Sequence, residues 1–489
     1  MHSSSWGSTP TLSVILPVYD AMPWLTFAVR DMLKQRLRND APIELLVAFD
    51  GGTDGSLAFL QQLVEAMGPT RASDEPVGTA SSPMEPNEAV LNPALRQPMR
   101  ALEGVDHPSF AGAKIAPEKC EPLSAAEVAT AARPEHRLRL LRRADGRNRG
   151  QGAAMTLALQ HARASLIAQM ESDDERASPE AFALMLALLE AHPEWDGVSC
   201  LIELIGWERP GMQAYAAWQN SLCTPAQMAS GRFIEIPALH QTAIFRRAAV
   251  DAVLATTRGA YRDGPLESAS ALESASPQET SASAAEAQLV DSEAAHSAQL
   301  DTPVDLWWWL TFFHIGGRCG KVSGDEPLFG WRQHPRQHTR THGRLSIGNL
   351  RRIKVHFLLC HGGPLDGCKR VVVISVGTTL SGWAADLRAH PNGRAIDVVE
   401  VAWVPGKRGN APLPLAARLC IDSSIPAPAA PAGSKRTRHE DDVGVGAHSD
   451  SGACGKVVRV WAFGREEIRR KVKEQVRDID EMVTDVFVA

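Results

Sequence analysis

The chain has 489 residues, more than one compact core accommodates, so two domains with inserted segments are expected. Hydrophobic residues make up 44% and charged residues 22%, and the net charge of -6 excludes a protein wholly dedicated to nucleic acid while allowing a local basic face. The 8 cysteines are scattered with no CxxC pair, and the amino end has neither a basic n-region nor an apolar run longer than Leu12 to Val18, which predicts a cytoplasmic protein with no disulfide framework, zinc site or membrane anchor.

Leu12 to Val18 (LSVILPV) has the pattern of a buried parallel strand, and Pro23 opens a helix with Leu25, Val29, Met32, Leu33 and Leu37 on its apolar side. Ile43 to Phe49 (IELLVAF) is a second buried strand, ending in the turn Asp50-Gly51-Gly52-Thr53-Asp54-Gly55. A helix carrying Leu57, Leu60, Leu63, Val64 and Met67 follows, and Gly68-Pro69 stops it. This alternation predicts a parallel sheet with right-handed crossovers. Residues 68–133 are rich in Pro, Ala, Ser and Glu without a sustained period, and read as a disordered insertion.

Periodicity resumes at Arg137 to Leu141, continues through a helix from Gly150 to Ala164, and reaches the strand Ser165 to Met170. That strand runs into Glu171-Ser172-Asp173-Asp174, after which Ser178-Pro179-Glu180 caps an apolar helix ending before His192-Pro193. A second low-complexity insertion covers 266–300, with the near-repeat LESASALESAS. The carboxyl-terminal stretch 364–489 reads as a small α/β module with strands at Val371 to Val376, Val398 to Val404 and Val457 to Phe463. It is interrupted by a disordered linker at 427–455 and closed by a helix carrying Ile468, Val472, Val476 and Ile479.

Open parallel sheets bind ligands at the carboxyl ends of their strands, and three polar clusters fall there: Tyr19-Asp20, Asp50 to Asp54, and Glu171 to Asp174. In the last cluster, three acids in four residues repel one another, so they need a cation such as Mg²⁺ or Mn²⁺, or else the N-terminus of the helix that follows.

Together, PVYD after the first strand, a D-G-x-T-D-G-S turn after the second and the acidic box resemble family 2 glycosyltransferases of the GT-A fold. The resemblance implies a mostly parallel α/β sheet flanked by helices, formed by 11–67 and 134–360. It implies an inverting transfer from a UDP-sugar, with Pro17, Tyr19, Asp50, Asp54, Asn148, Gly150, Ser172 and Arg332 on the donor, and Glu171 and Asp173 on a Mn²⁺ or Mg²⁺ ion. Asp305, in TPVDLWWWLTFF, matches the family's general base; as a plain structural residue it would be a helix N-cap. Leu306, Trp309, Leu310 and Phe313 give this helix its buried face, and Gly316-Gly317 ends it. Phe49, Glu171 and Val304 depart from the family's residues, which leaves a non-catalytic UDP-sugar or RNA-binding module as an alternative.

YAAWQNSLCTPAQM, PVDLWWW, WRQHPRQHT and GKVVRVWAFGREEIRRKV further resemble the beta-1,3-N-acetylglucosaminyltransferase-like protein 1 group. That likeness implies UDP-galactose as donor and queuosine in a tRNA anticodon loop as acceptor; a glycan, lipid or protein acceptor is the alternative. Arg332, Arg336, Arg340 and Arg344, with Arg351, Arg352 and Lys354, form one basic run, and Arg137, Arg139, Arg142, Arg143, Arg147 and Arg149 form another. Either could meet tRNA phosphates, grip a diphosphate, or simply face solvent. Trp307 to Trp309 could stack on a base or fill the core, and the spacing of His334, His338 and His342 is not read as a metal site because Pro335 and Gly343 interrupt a helix there.

Overall fold

The computed structural model describes residues 9–77, 121–176, 178–206, 209–265, 294–324, 326–334, 337, 343–375, 377–402, 457–462 and 484–488. Strand β1 (Leu12–Val18) is buried at all seven positions. The Met22–Pro23 peptide is cis, and helix α1 (Leu25–Lys34) begins two residues later than proline placement suggests. Strand β2 (Ile43–Phe49) pairs in parallel with β1, and α2 (Ser56–Met67) follows it.

The expected insertion then proves shorter than its composition suggests. Ala72–Val77 forms β3, and α3 (Ala125–Ala131) opens with a capping box in which Ser124 and Glu127 satisfy each other's backbone N–H groups. A polar edge strand and a one-box helix have too little apolar periodicity to register in sequence. Only 78–120 of that segment lies outside the described residues, as do 266–293 of the second insertion and the whole 427–455 linker.

Strand β4 (Arg137–Arg143), α4 (Gln151–His161), β5 (Leu166–Gln169), β6 (Glu175–Arg176) and α5 (Ala181–Ala191) come next. Ser178 does not cap α5 directly: its hydroxyl accepts from Glu180 N at 3.1 Å, while Gln35 Oε1 accepts from Phe182 N at 3.1 Å and serves the helix end from α1's side. Then follow β7 (Gly197–Cys200), β8 (Ile202–Gly206), α6 (Pro210–Asn220), α7 (Pro225–Gly231), β9 (Ile244–Arg246), α8 (Arg247–Ala255), α9 (Val304–His314), β10 (Cys319–Val322), β11 (Phe329–Gln333) and α10 (Ile347–Leu359).

The main sheet has eight strands in the order β10-β7-β9-β5-β1-β2-β4-β3, parallel except where β9 meets β5 and β7. Helices flank it, with α4 packed on β1 and β2. The fold is therefore α/β with a large, mostly parallel central sheet. A three-stranded sheet, β6-β11-β8, stands beside it in sequence and ties the segment after β5 to β11. Among the described residues no helix is long and apolar enough to cross a membrane.

The chain divides into two compact units: Met1–Ser283 with Ala294–Phe357, and Ala284–Glu293 with Leu358–Ala489. The second contains β12 (Arg370–Ser375), α11 (Gly377–Ala389), β13 (Asp397–Ala402), β14 (Val457–Ala462) and β15 (Thr484–Val488), in an all-parallel sheet ordered β13-β12-β14-β15. Val371 to Ile374 are fully buried in it, and Trp383 of α11 is 1% exposed. β15 had no counterpart in the sequence reading, and the expected helix around Ile468 to Ile479 lies outside the described residues.

Candidate active site

Because β5, β1, β2 and β4 are neighbours, the loops leaving β1, β2 and β5 converge at one edge of the sheet. They border a cavity of about 730 Å³. Of the residues assigned to the donor from sequence, Pro17, Tyr19, Asp50, Asn148, Gly150 and Ser172 line it, and Asp173 and Glu171 lie on its wall. Tyr19 is 53% exposed, one of few large hydrophobic side chains left open among the described residues.

The first two loops are laced together. Asp20, with φ +43°, accepts the Thr53 N–H at 2.7 Å, and Asp54 accepts from Met22 N at 2.6 Å and from Ser56 N at 3.0 Å. Asp54 therefore fastens the loops to each other and is not among the residues lining the cavity. Asp50 is on the wall but fully engaged: Arg143 donates to one oxygen at 2.6 Å, and the Arg149 and Gly150 N–H groups donate to the other at 2.9 and 2.7 Å. It thereby fixes the turn that carries Asn148. Burial raises its carboxyl above the usual range in spite of these donors.

The acidic box divides into separate roles. Asp173 Oδ2 lies 2.9 Å from His334 Nε2, and both residues line the cavity. Asp174 is buried, accepting from Arg332 N at 2.8 Å and Gln241 Nε2 at 3.1 Å. Arg332 is also buried: its Nε donates to Asp173 O at 2.8 Å, its guanidinium pairs with Glu175, and it stacks on Trp24 at 4.1 Å. It supports the box and is not among the residues lining the cavity. Glu171, expected on the metal, instead accepts from Gln151 Nε2 and Gln169 Nε2, both at 2.7 Å. Burial, and then the charge of Asp173, push its carboxyl up to about 8, the behaviour of a protonated acid held by amides.

Among the described residues no group of three or more His, Cys, Asp or Glu side chains is arranged to hold a metal ion. Mg²⁺ and similar ions at phosphate sites need fewer, because one or two protein ligands are completed by substrate oxygens. Asp173 and His334, side by side on the cavity wall, fit such an ion.

Asp305 occupies the second position of α9, whose N-cap is Pro303, so it is not the cap that its position suggested. Its Oδ1 accepts from Leu306 N at 2.8 Å. Burial, with a smaller contribution from Glu235, pushes this half-buried carboxyl up to about 6. It borders a recess of about 130 Å³ that shares Glu171 and Asp173 with the larger cavity.

Among the described residues, several arginines of the two runs are paired internally. Arg344 pairs with Asp263 and Asp301; Arg139, Arg142 and Arg143 pair with Glu75, Asp74 and Asp50; Arg149 pairs with Asp145. Lys354 is buried and donates to Ile234 O at 2.8 Å. Arg336 and Arg340, like His338 and His342, lie outside the described residues. Trp307, Trp308 and Trp309 are 7%, 2% and 1% exposed, so all three are core and none offers a free face to a base.

Of the other residues that line the cavity, Asp263 was given no role from sequence, Asp20 and Arg344 were placed only in a polar cluster and a basic run, and His334 was not read as a metal ligand. For His334 the signal was its fixed place in Trp331-Arg332-Gln333-His334-Pro335; attention to four-residue histidine spacing obscured it. Asp263, just before a low-complexity stretch, carried no such signal.

No family model matches the chain, and no curated protein does. Among solved structures, the chain is similar to residues 1–349 of S. aureus TarS, with a TM-score of 0.39, 12% identity, and coverage of 71% of this chain and 65% of that one. A structure of the same TarS fragment in complex with UDP-GlcNAc gives 0.40 and 12%, covering 79% and 84%. The mannosyltransferase PcManGT from Pyrobaculum calidifontis, in complex with GDP-Man and Mn²⁺, gives 0.35 and 14%, covering 85% and 80%.

Proposed function

We propose that the chain is an inverting glycosyltransferase that moves a sugar from a UDP-sugar to an acceptor hydroxyl. The observation that carries this reading is the pair of adjoining cavities. One is lined by Pro17, Tyr19, Asp50 and Asn148 at the ends of parallel strands; the other holds Asp305, and Asp173 stands on the wall between them.

In this reading Tyr19 and Pro17 flank the uridine, and Asp50 orients the Asn148–Gly150 turn along the donor. Asp173 and His334 would hold a divalent cation, Mn²⁺ or Mg²⁺, which when bound neutralises charge on the departing diphosphate. Asp305, poised near neutral pH, accepts the proton of the acceptor hydroxyl. The acceptor oxygen bonds to the anomeric carbon from the face opposite the diphosphate. The bond to the phosphate oxygen breaks as it does so, and UDP leaves. A single displacement inverts the configuration.

Galactose as the sugar and queuosine-bearing tRNA as the acceptor are supported by the sequence resemblance of PVDLWWW and WRQHPRQHT. The arginine runs lend it less, because Arg139, Arg142, Arg143 and Arg344 are engaged by acids of this chain. UDP titration calorimetry with and without Mn²⁺ tests the donor site: UDP should bind more tightly with the ion, and Asp173→Ala should remove the difference. Metal-independent binding in the wild type would sink the assignment of Asp173.

A further inference from the structure

The larger cavity is lined with acids although its proposed ligand is an anion. Among the described residues, carboxylates of Asp20, Asp50, Glu171, Asp173 and Asp263 line it against a single arginine, Arg344. A diphosphate entering there needs more positive charge than a divalent ion at Asp173 and His334 supplies, because that ion first offsets the carboxylate that holds it. Arg344 is the lining group suited to add it, since a guanidinium fork matches two phosphate oxygens at once.

Arg344 is already engaged. Its Nη1 pairs with Asp263 Oδ1, and its Nε lies 3.2 Å from Asp301 Oδ1. Asp263 is a fixed partner. A Cβ built on Gly152 would lie 2.6 Å from Asp263 Cβ and 2.7 Å from Tyr261 O, so this segment is pressed against α4. The Gly152 N–H also donates to Asp263 Oδ2 at 3.3 Å. The Arg344 backbone is held as well, its carbonyl accepting from Asn349 Nδ2 at 2.7 Å. What can move is the long arginine side chain. The Arg344 and Asp263 side chains are 16% and 14% exposed, and both line the larger cavity and the recess at Asp305.

We propose that Asp263 is a built-in stand-in for the donor's diphosphate: it holds Arg344 in the empty protein, and a bound nucleoside diphosphate takes the guanidinium from it. The inference deepens the UDP-sugar reading and rests on it. No covalent bond changes; the arginine's hydrogen bonds pass from carboxylate to phosphate oxygens. The observed donor affinity is then lowered by the fraction of molecules in which Asp263 keeps the arginine.

The test is UDP titration calorimetry in Mn²⁺ on the full chain, with Asp263→Asn, Arg344→Ala and the double variant. Arg344→Ala should weaken UDP by at least about tenfold, through loss of the charge-assisted fork, and Arg344→Lys should recover part of that. Asp263→Asn keeps the side chain's shape but frees the arginine, so it should tighten UDP by about three- to tenfold. In the double variant the Asn should add nothing, because no arginine is left to release. Uridine should bind every variant within about twofold of wild type, showing an intact pocket. A purely structural ion pair gives weaker or unchanged UDP binding in Asp263→Asn, and plain repulsion by Asp263 gives the same gain with or without Arg344. Either result, or unchanged affinity in Arg344→Ala, overturns the proposal. Inorganic pyrophosphate on the same set separates this inference from the reading beneath it. If UDP binds nowhere while pyrophosphate follows the predicted order, the UDP-sugar reading fails and the stand-in holds; if neither ligand binds, both fail. If UDP follows the order but no sugar is ever transferred, the transferase reading fails alone.

Discussion

His334 Nε2 lies 2.9 Å from Asp173 Oδ2, joining the end of β11 to the loop after β5 across 161 positions of sequence. The contact brings a hard carboxylate and an imidazole to one spot on a cavity wall, where a divalent ion and a diphosphate would share them. His334→Ala should weaken Mn²⁺-dependent UDP binding by at least about tenfold, and Asp173→Ala by more. Calorimetry reads both; equal affinity in wild type and His334→Ala would remove His334 from the site.

Gly52 has φ +110°, and a Cβ built there would lie 2.6 Å from Asp20 Oδ1 and 3.0 Å from Asp20 N. Gly52→Ala should therefore strain the turn by about 1–3 kcal/mol and lower UDP affinity by displacing Asp20, while Gly55→Ala, which meets nothing within 4 Å, should leave UDP affinity within about twofold. Equal losses in the two variants would contradict the close approach.

How much of this was legible beforehand follows from where the signals lie. β1 and β2 are uninterrupted apolar runs and were readable to the residue, as was the clustering of Tyr19, Asp50 and Asp173 at strand ends. Arg332 misled because it sits inside a motif: its side chain points to backbone and Glu175, and only the three-dimensional pairing of β11 with β6 shows why. The arginine spacing on β4 read as a basic face, but the partners of Arg139 and Arg142 are acids on the neighbouring β3, a strand with no apolar pattern to announce it. The pairing of Arg344 with Asp263 had no signal at all, since a contact across 81 positions is a property of packing.

Trp309 is 1% exposed and packs against Phe245, Phe312 and Phe313. Trp309→Ala should cost about 3–5 kcal/mol of stability, read as a lower midpoint in denaturant. A variant of unchanged stability that lost only RNA affinity would instead favour a stacking role.

Asp305 links stability and activity with opposite signs. The folded carboxyl holds its proton to about pH 6, whereas an unfolded aspartate releases it near pH 4, so the folded chain binds more protons between those values and loses stability as pH rises through them. Asp305→Asn should thus stabilise the chain at pH 7, by at most about 3 kcal/mol for this half-buried group. The wild type minus variant difference should be flat below about pH 4. In the active protein kcat/KM should rise with pH and reach half its plateau near pH 6, because the deprotonated form is the base.

The most direct measurement is transfer of radiolabelled sugar from UDP-galactose in Mn²⁺, with queuosine-containing tRNA as acceptor, for wild type and Asp305→Asn. The wild type should transfer label, and the variant should fall by about 10²–10⁴-fold while binding UDP as before. A variant as active as the wild type, or a wild type that binds UDP yet neither transfers nor hydrolyses any UDP-sugar, would contradict the assignment of Asp305 as the base of a glycosyltransferase.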